Sequence, residues 1–115
     1  MSAATLSDAE YHALSAALLA GIEAQVDRWL QADVIDIDAA RTGGLLELAF
    51  PNGSKIVVNT QPPLQEICLA ARAGGYHFRY TNGAWRDTKD AAEFYARLSE
   101  CASAQAGESL RFHPI

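Results

Sequence analysis

Residues 52–78 read NGSKIVVNTQPPLQEICLAARAGGYHF, and the order of turn and strand signals in them decides the fold. Asn52-Gly53 is the dipeptide favoured in a two-residue type I′ hairpin turn, where both central residues take positive φ, and alternating segments flank it. Two antiparallel strands are therefore expected to meet there. Counting by twos along the second strand places Lys55, Val57, Asn59 and Gln61 on one face and Ile56 and Val58 on the other. Only the second face has the composition of a core. Beyond Pro62-Pro63 the scheme resumes from Leu64 to Ala70, with Gln65, Ile67 and Leu69 set against Glu66, Cys68 and Ala70. Asn and Gln are poor strand formers, so a strand face that keeps them reads as a surface for a partner.

Upstream, Ser7-Asp8-Ala9-Glu10 is a capping box that opens a long helix. Tyr11, Leu14, Leu18, Ile22, Val26 (or Gln25) and Trp29 recur at three- and four-residue steps and form one apolar stripe. Glu23 and Asp27 fall on the flank of that stripe one turn apart, and Asp33 adds charge at the connection. Val34 to Asp38 alternates, which predicts a short strand with Asp36 and Asp38 on one face, ~7 Å apart, and Ile35 and Ile37 on the other. Gly43-Gly44 then turns the chain into Leu45–Phe50, and the hairpin leads on to 54–61.

Downstream, Gly74-Gly75 makes a turn, and Tyr76, Phe78 and Tyr80 alternate with His77 and Arg79. Asn82-Gly83 repeats the hairpin signal before Ala84–Arg86. Asp90-Ala91-Ala92-Glu93 opens a second helix with the stripe Ala91, Phe94, Tyr95, Leu98 and Cys101 or Ala102. Leu110 and Phe112 in the tail are expected to return to the core. An antiparallel run between two amphipathic helices predicts an α+β fold, a two-layer sandwich with both helices on one face of a roughly six-stranded antiparallel sheet. At 115 residues and 50% hydrophobic content, residues 1–115 are expected to form a single domain with room for no second core.

Composition excludes several function classes. No apolar run approaches the ~20 residues of a membrane span, and MSAATLSDAEY lacks the basic and apolar regions of a signal peptide. Cys68 and Cys101 are far apart and form no C-x-x-C unit, so neither a disulfide framework nor a zinc site is expected and the cytoplasm is the simplest compartment. The charge is unevenly placed: residues 1–50 hold eight acids against Arg28 and Arg41, whereas the remainder holds six acids and seven bases. Nucleic acid is a poor partner for such a surface, and a cation or a basic protein a better one.

In order along the chain, the NGSKI hairpin, the Asn59-x-Gln61-x-Pro63 run, the Leu69-Ala70 pair and Gly74-Gly75-Tyr76-His77-Phe78 follow an acidic helix. Together they resemble the frataxin family in its bacterial form, over nearly the whole chain. The resemblance implies the same sandwich and a small non-catalytic protein of iron–sulfur cluster assembly that binds iron weakly. It also implies a cysteine desulfurase as partner, with the iron–sulfur scaffold protein as a second candidate, and a monomer that can oligomerise with iron. On that basis Asp8, Glu10, Glu23, Asp27, Asp33, Asp36 and Asp38 are the candidate iron ligands. Glu23, Asp27, Asp36, Asp38, Asn59, Gln61 and Cys68 are the candidate partner-binding residues. Three departures bear on this. Ala24 and Arg28 stand where acids commonly thicken the family's ridge, Cys68 where an exposed Trp tied to scaffold recognition is usual, and Thr60 where a basic residue is usual.

Carboxylate oxygens are hard ligands suited to iron, manganese, magnesium or calcium, whereas tight selective sites add imidazole or thiolate and enclose the ion. Acids along a helix edge and a strand edge offer two or three oxygens per ion and leave water to complete the shell. Weak and poorly selective binding of ferrous or ferric iron is therefore expected, set against the plainer reading of a solvated charged face. Two alternatives stand beside the regulatory one: an iron-storage or ferroxidase protein, and a metal-independent adaptor using the polar sheet face around Asn59 and Gln61. No Glu-x-x-His pairs for a di-iron centre and no nucleophile motif occur, so the chain is not expected to be an enzyme. His12 lies about three turns from Glu23, His77 belongs to the open sheet face and His113 to the tail. Trp29 and Trp85 read as core anchors, and Cys68 as a small apolar filler rather than a reactive thiol.

Overall fold

The computed structural model describes residues 5–114. The capping box forms as the sequence predicts: Ser7 Oγ accepts the Glu10 N–H at 3.1 Å, and the Glu10 carboxylate accepts the Ser7 N–H at 2.8 Å. It opens helix α1, Asp8–Gln31. Tyr11, Leu18, Ile22 and Val26 of the expected stripe are buried, and Ser15 and Leu19 widen it, while Leu14 and Trp29 sit half-buried at its edge. The helix ends with Asp33 in the left-handed region at φ 57, its N–H bonded to the Leu30 carbonyl and that of Val34 to the Trp29 carbonyl at 2.8 Å. Orphan carbonyls of the last turn are satisfied this way, the paired-bond C-terminal motif that glycine usually serves.

Six strands follow, β1 Asp38–Thr42, β2 Leu45–Ala49, β3 Lys55–Gln61, β4 Glu66–Ala71, β5 Gly74–Thr81 and β6 Ala84–Asp87, and then helix α2, Phe94–Ala106. The strands form one sheet in chain order, every neighbouring pair antiparallel. Leu46, Leu48, Ile56, Val58, Ile67, Leu69, Phe78 and Trp85 point into the core. Phe78 meets Phe94 of α2 at 5.0 Å and Trp85 meets Tyr11 of α1 at 6.1 Å between ring centroids, so both helices cover the same face. Leu110 and Phe112 of the tail are buried with them. The fold is thus the expected α+β arrangement, two helices against one face of a six-stranded antiparallel sheet.

Five local expectations are corrected. The turn expected at Gly74-Gly75 falls at Arg72-Ala73, and both glycines already belong to β5, paired with Ala71 and Ala70. The strand expected over 34–38 begins only at Asp38, because β2 offers no ladder partner beyond Ala49, opposite Asp38. The alternation survives without pairing: Ile37 is buried and Ile35 half-buried, and Asp36 is exposed. The β2–β3 hairpin does not turn on Asn52-Gly53 alone. Gly53 N–H bonds to the Phe50 carbonyl and only Gly53, at φ 86, takes positive φ, so the loop is Pro51-Asn52-Gly53. Pro51 explains it, since its fixed φ suits the first central position of a type I turn and leaves the left-handed residue to the glycine. Leu64 and Gln65 are not strand: Pro62–Leu64 form a single 3₁₀ turn and Gln65 takes φ 51 before β4 begins. Prolines without N–H groups cannot extend the ladder there. Finally, α2 opens at Phe94 with Glu93 as its cap, its carboxylate accepting the N–H groups of Tyr95 and Ala96. Ala91, at φ 63, therefore lies outside the helix, and Asp90 caps a tight turn instead. At Asn82-Gly83 both residues do take positive φ, as a two-residue type I′ turn requires.

Candidate functional site

The candidate iron ligands fall into two separated groups. Asp8 and Glu10 occupy the first turn of α1, and Glu10 is committed to the capping box, where the Ser7 N–H and hydroxyl hold its carboxyl below the usual range. Glu23 is thirteen residues further along the same helix, roughly 20 Å at 1.5 Å per residue. Asp8 and Glu10 cannot share an ion with it. The second group clusters in the chain from the end of α1 to the start of β1: Glu23 half-buried, and Asp27, Asp33, Asp36 and Asp38 exposed. Asp33 is held in place by the helix terminus. Asp38 belongs to the sheet face away from the helices, in register with Ala49 and, through it, Lys55.

One member of this group has an internal counter-ion. Arg41 on β1 points back toward the helix layer and donates to Glu23 Oε1 at 2.7 Å. Arg28, the other base of the region, donates to Gln25 Oε1 rather than to an acid. Among the described residues no three His, Cys, Asp or Glu side chains are grouped so that they could hold a metal ion. The acids therefore form an open edge of separate carboxylates, able to attract cations or a basic surface but not to enclose an ion.

The candidate partner residues on the sheet lie together on its open face. Asn59 of β3 stands opposite Leu45 of β2 on one side and Cys68 of β4 on the other, and Cys68 stands opposite His77 of β5. The next row runs from Gln61 through Glu66 and Arg79 to Arg86. Leu45 is exposed, Asn59, Gln61 and Cys68 half-exposed. Glu66 is the exception, only 7% exposed on a face that is otherwise wet. Its carboxylate accepts Arg79 Nε at 2.9 Å and lies 3.4 Å from His77 Nδ1.

A frataxin-like domain model matches residues 4–108. The chain belongs to the frataxin-like family. It is 52% identical over 109 residues to the iron-sulfur cluster assembly protein CyaY of Paraburkholderia phymatum, covering 95% of this chain and 100% of that one. To the protein of the same description from Variovorax paradoxus it is 51% identical over 107 residues, 93% of this chain and 97% of that one. Among solved structures, frataxin from Psychromonas ingrahamii matches with a TM-score of 0.83 at 32% identity, over 94% of this chain and 99% of that one. Trimeric frataxin from the yeast Saccharomyces cerevisiae, complexed with ferrous iron, matches with a TM-score of 0.69 at 21% identity, over 91% and 90%, and shares the fold.

In this frataxin-like chain, sequence reasoning missed two features of the site. In the sequence Arg41 reads only as a base, although a five-residue strand after the helix brings it to Glu23. The Glu66–Arg79–His77 contacts were missed too. Strand alternation already placed Glu66 with Cys68 and His77 with Arg79, but joining the pairs needed the register of the β4–β5 hairpin, which turns at Arg72-Ala73 and places Cys68 opposite His77 and Glu66 opposite Arg79.

Proposed function

We propose that this chain is an iron-binding regulatory or iron-delivery protein of iron–sulfur cluster assembly, which docks on a cysteine desulfurase through its acidic edge. The observation that carries the reading is the run of carboxylates from Glu23 to Asp38, exposed but for half-buried Glu23, of which one is paired, to Arg41. Separate exposed carboxylates attract a basic protein surface over the Debye length and lose that attraction with salt. The same carboxylates bind iron weakly, through few oxygens and retained water, so iron and the partner compete for them. The family supports the pathway: the relatives from Paraburkholderia phymatum and Variovorax paradoxus are described as iron-sulfur cluster assembly proteins, and yeast frataxin forms a ferrous complex as a trimer. The protein acts by binding rather than by catalysis, as a monomer that oligomerises under iron load. Its two unpaired thiols fit the reducing cytoplasm.

The test is desulfurase binding and cluster-assembly rate for wild type and for a Glu23→Gln, Asp27→Asn, Asp36→Asn, Asp38→Asn variant, each at low and high salt. A folded variant that loses binding, with a wild type whose binding weakens in salt, is the expected result. Undiminished binding would overturn it and move the partner surface to the row of Asn59, Cys68 and His77, with the iron–sulfur scaffold protein as the next partner to test.

A further inference from the structure

On the open face of the sheet, away from the acidic edge, a thiol and a carboxylate converge on one imidazole nitrogen. Cys68 Sγ lies 3.1 Å from His77 Nδ1, and Glu66 Oε1 lies 3.4 Å from the same atom. Cys68 and His77 are direct register partners on β4 and β5, so the contact is fixed by the ladder rather than by a flexible loop. Glu66, nearly buried, is itself held by Arg79 at 2.9 Å. The arrangement supplies a nucleophile, a base in hydrogen-bond contact with it and an anion beside the base, the three roles of an activated nucleophile.

We propose that Cys68, with His77 as its base, is a thiol–disulfide exchange site that takes low-molecular-weight disulfides at the open sheet face. The thiol proton passes from Sγ to Nδ1 as the sulfur attacks one sulfur of the disulfide. A new bond forms between Cys68 Sγ and that sulfur, the old S–S bond breaks, and the departing thiolate recovers the proton from the imidazole. The Cys68 sulfur is oxidised to the disulfide level and the departing sulfur is reduced to a thiol, so no outside oxidant is needed. The proton that reaches Nδ1 faces the Glu66 carboxylate, which pairs with the transient imidazolium and so acts as a positioning residue. Acyl transfer is a poorer fit, because it needs free donors for a tetrahedral oxyanion, and the N–H groups of β4 are spent on β3 and β5. Disulfide exchange needs only a nucleophilic sulfur, a base and open approach. Cys101 is 3% exposed within the core and cannot resolve the product, which therefore persists as a mixed disulfide projecting from the face that carries Asn59 and Gln61.

The base matters because of the thiol's surroundings. Burial, then the Glu66 carboxylate, push the Cys68 thiol up, so it keeps its proton at neutral pH. Facing it are Glu66 on its own strand, His77 and Arg79 on β5 and the uncharged Asn59 on β3.

The experiment treats the full chain with glutathione disulfide and follows the adduct by intact mass and peptide mapping across the neutral to alkaline range, for wild type, His77→Gln and Cys68→Ser. His77 is exposed, so its replacement leaves the core intact. Wild type is expected to gain one adduct, at Cys68. At about pH 7 it should react at least about tenfold faster than His77→Gln, the two rates converging at high pH where free thiolate carries the reaction. An adduct elsewhere, or a His77→Gln profile that overlays wild type at every pH, overturns the proposal.

Discussion

Tyr95 shows at the scale of one residue how burial becomes a pH dependence. It is the second residue of α2, 8% exposed, and its N–H is taken by the Glu93 cap. Burial pushes its phenol up to about 12, and the charge of Glu93 adds to the effect. An unfolded tyrosine titrates near 10. Below ~10 both states keep the proton and the stability is intact; between ~10 and ~12 the unfolded chain releases it while the folded one does not, so stability is lost over that window. Wild type should therefore lose about 1.4 kcal/mol more than Tyr95→Phe between about pH 9 and pH 11 in urea unfolding. Equal losses in the two proteins would mean that another group governs the alkaline limb.

Between elements, the decisive contact is the one that ties β1 to α1. Arg41 and Glu23 are each about one-third exposed at the side chain, so the pair contributes at most about 1 kcal/mol to the fold. In the proposed function it also matters at the edge, because it cancels one of the charges that would attract a cation. Arg41→Ala should leave the melting temperature nearly unchanged and tighten ferrous iron binding about fivefold, the equivalent of about 1 kcal/mol for one charge at contact in water. Unchanged affinity in a calorimetric titration would remove Glu23 from the proposed cation site. This pair also marks the limit of what the sequence makes legible. Periodicity is a local property, so the α1 stripe, the alternation of β3 and the Asn82-Gly83 turn could all be read directly. The site's pairings depend on where elements end. β2 ends opposite Asp38 and so holds β1 to start there, Pro51 resets the hairpin, and Arg41 reaches back across eighteen positions to Glu23. The acids were legible as a set, and so was the capping role of Glu10, but the pairing of Glu23 with Arg41 was not.

Over the whole molecule, stability and the proposed function draw on different parts of the chain. The tail closes the helix layer: the Phe112 ring lies 4.8 Å from Trp29 of α1, and the Phe112 and Leu110 N–H groups are taken by the Ser99 and Ser103 hydroxyls of α2. Phe112 is 3% exposed, and truncating so buried an aromatic ring costs about 3 to 5 kcal/mol. The acidic edge works the other way, since neighbouring like charges cost a few tenths of a kcal/mol each and their removal relieves it. Phe112→Ala is therefore expected to lower the melting temperature by about 10 to 20 °C, and the Glu23, Asp27, Asp36, Asp38 neutral variant to hold or raise it. Binding to the desulfurase should follow the opposite order when measured at a temperature where both variants are folded. The tail variant keeps its carboxylates and should bind as wild type does, while the neutral variant should not. Trp29 and Asp27 share the last turns of α1, so a tail variant that is folded yet fails to bind would show that the partner reads the shape of that helix end rather than its charge.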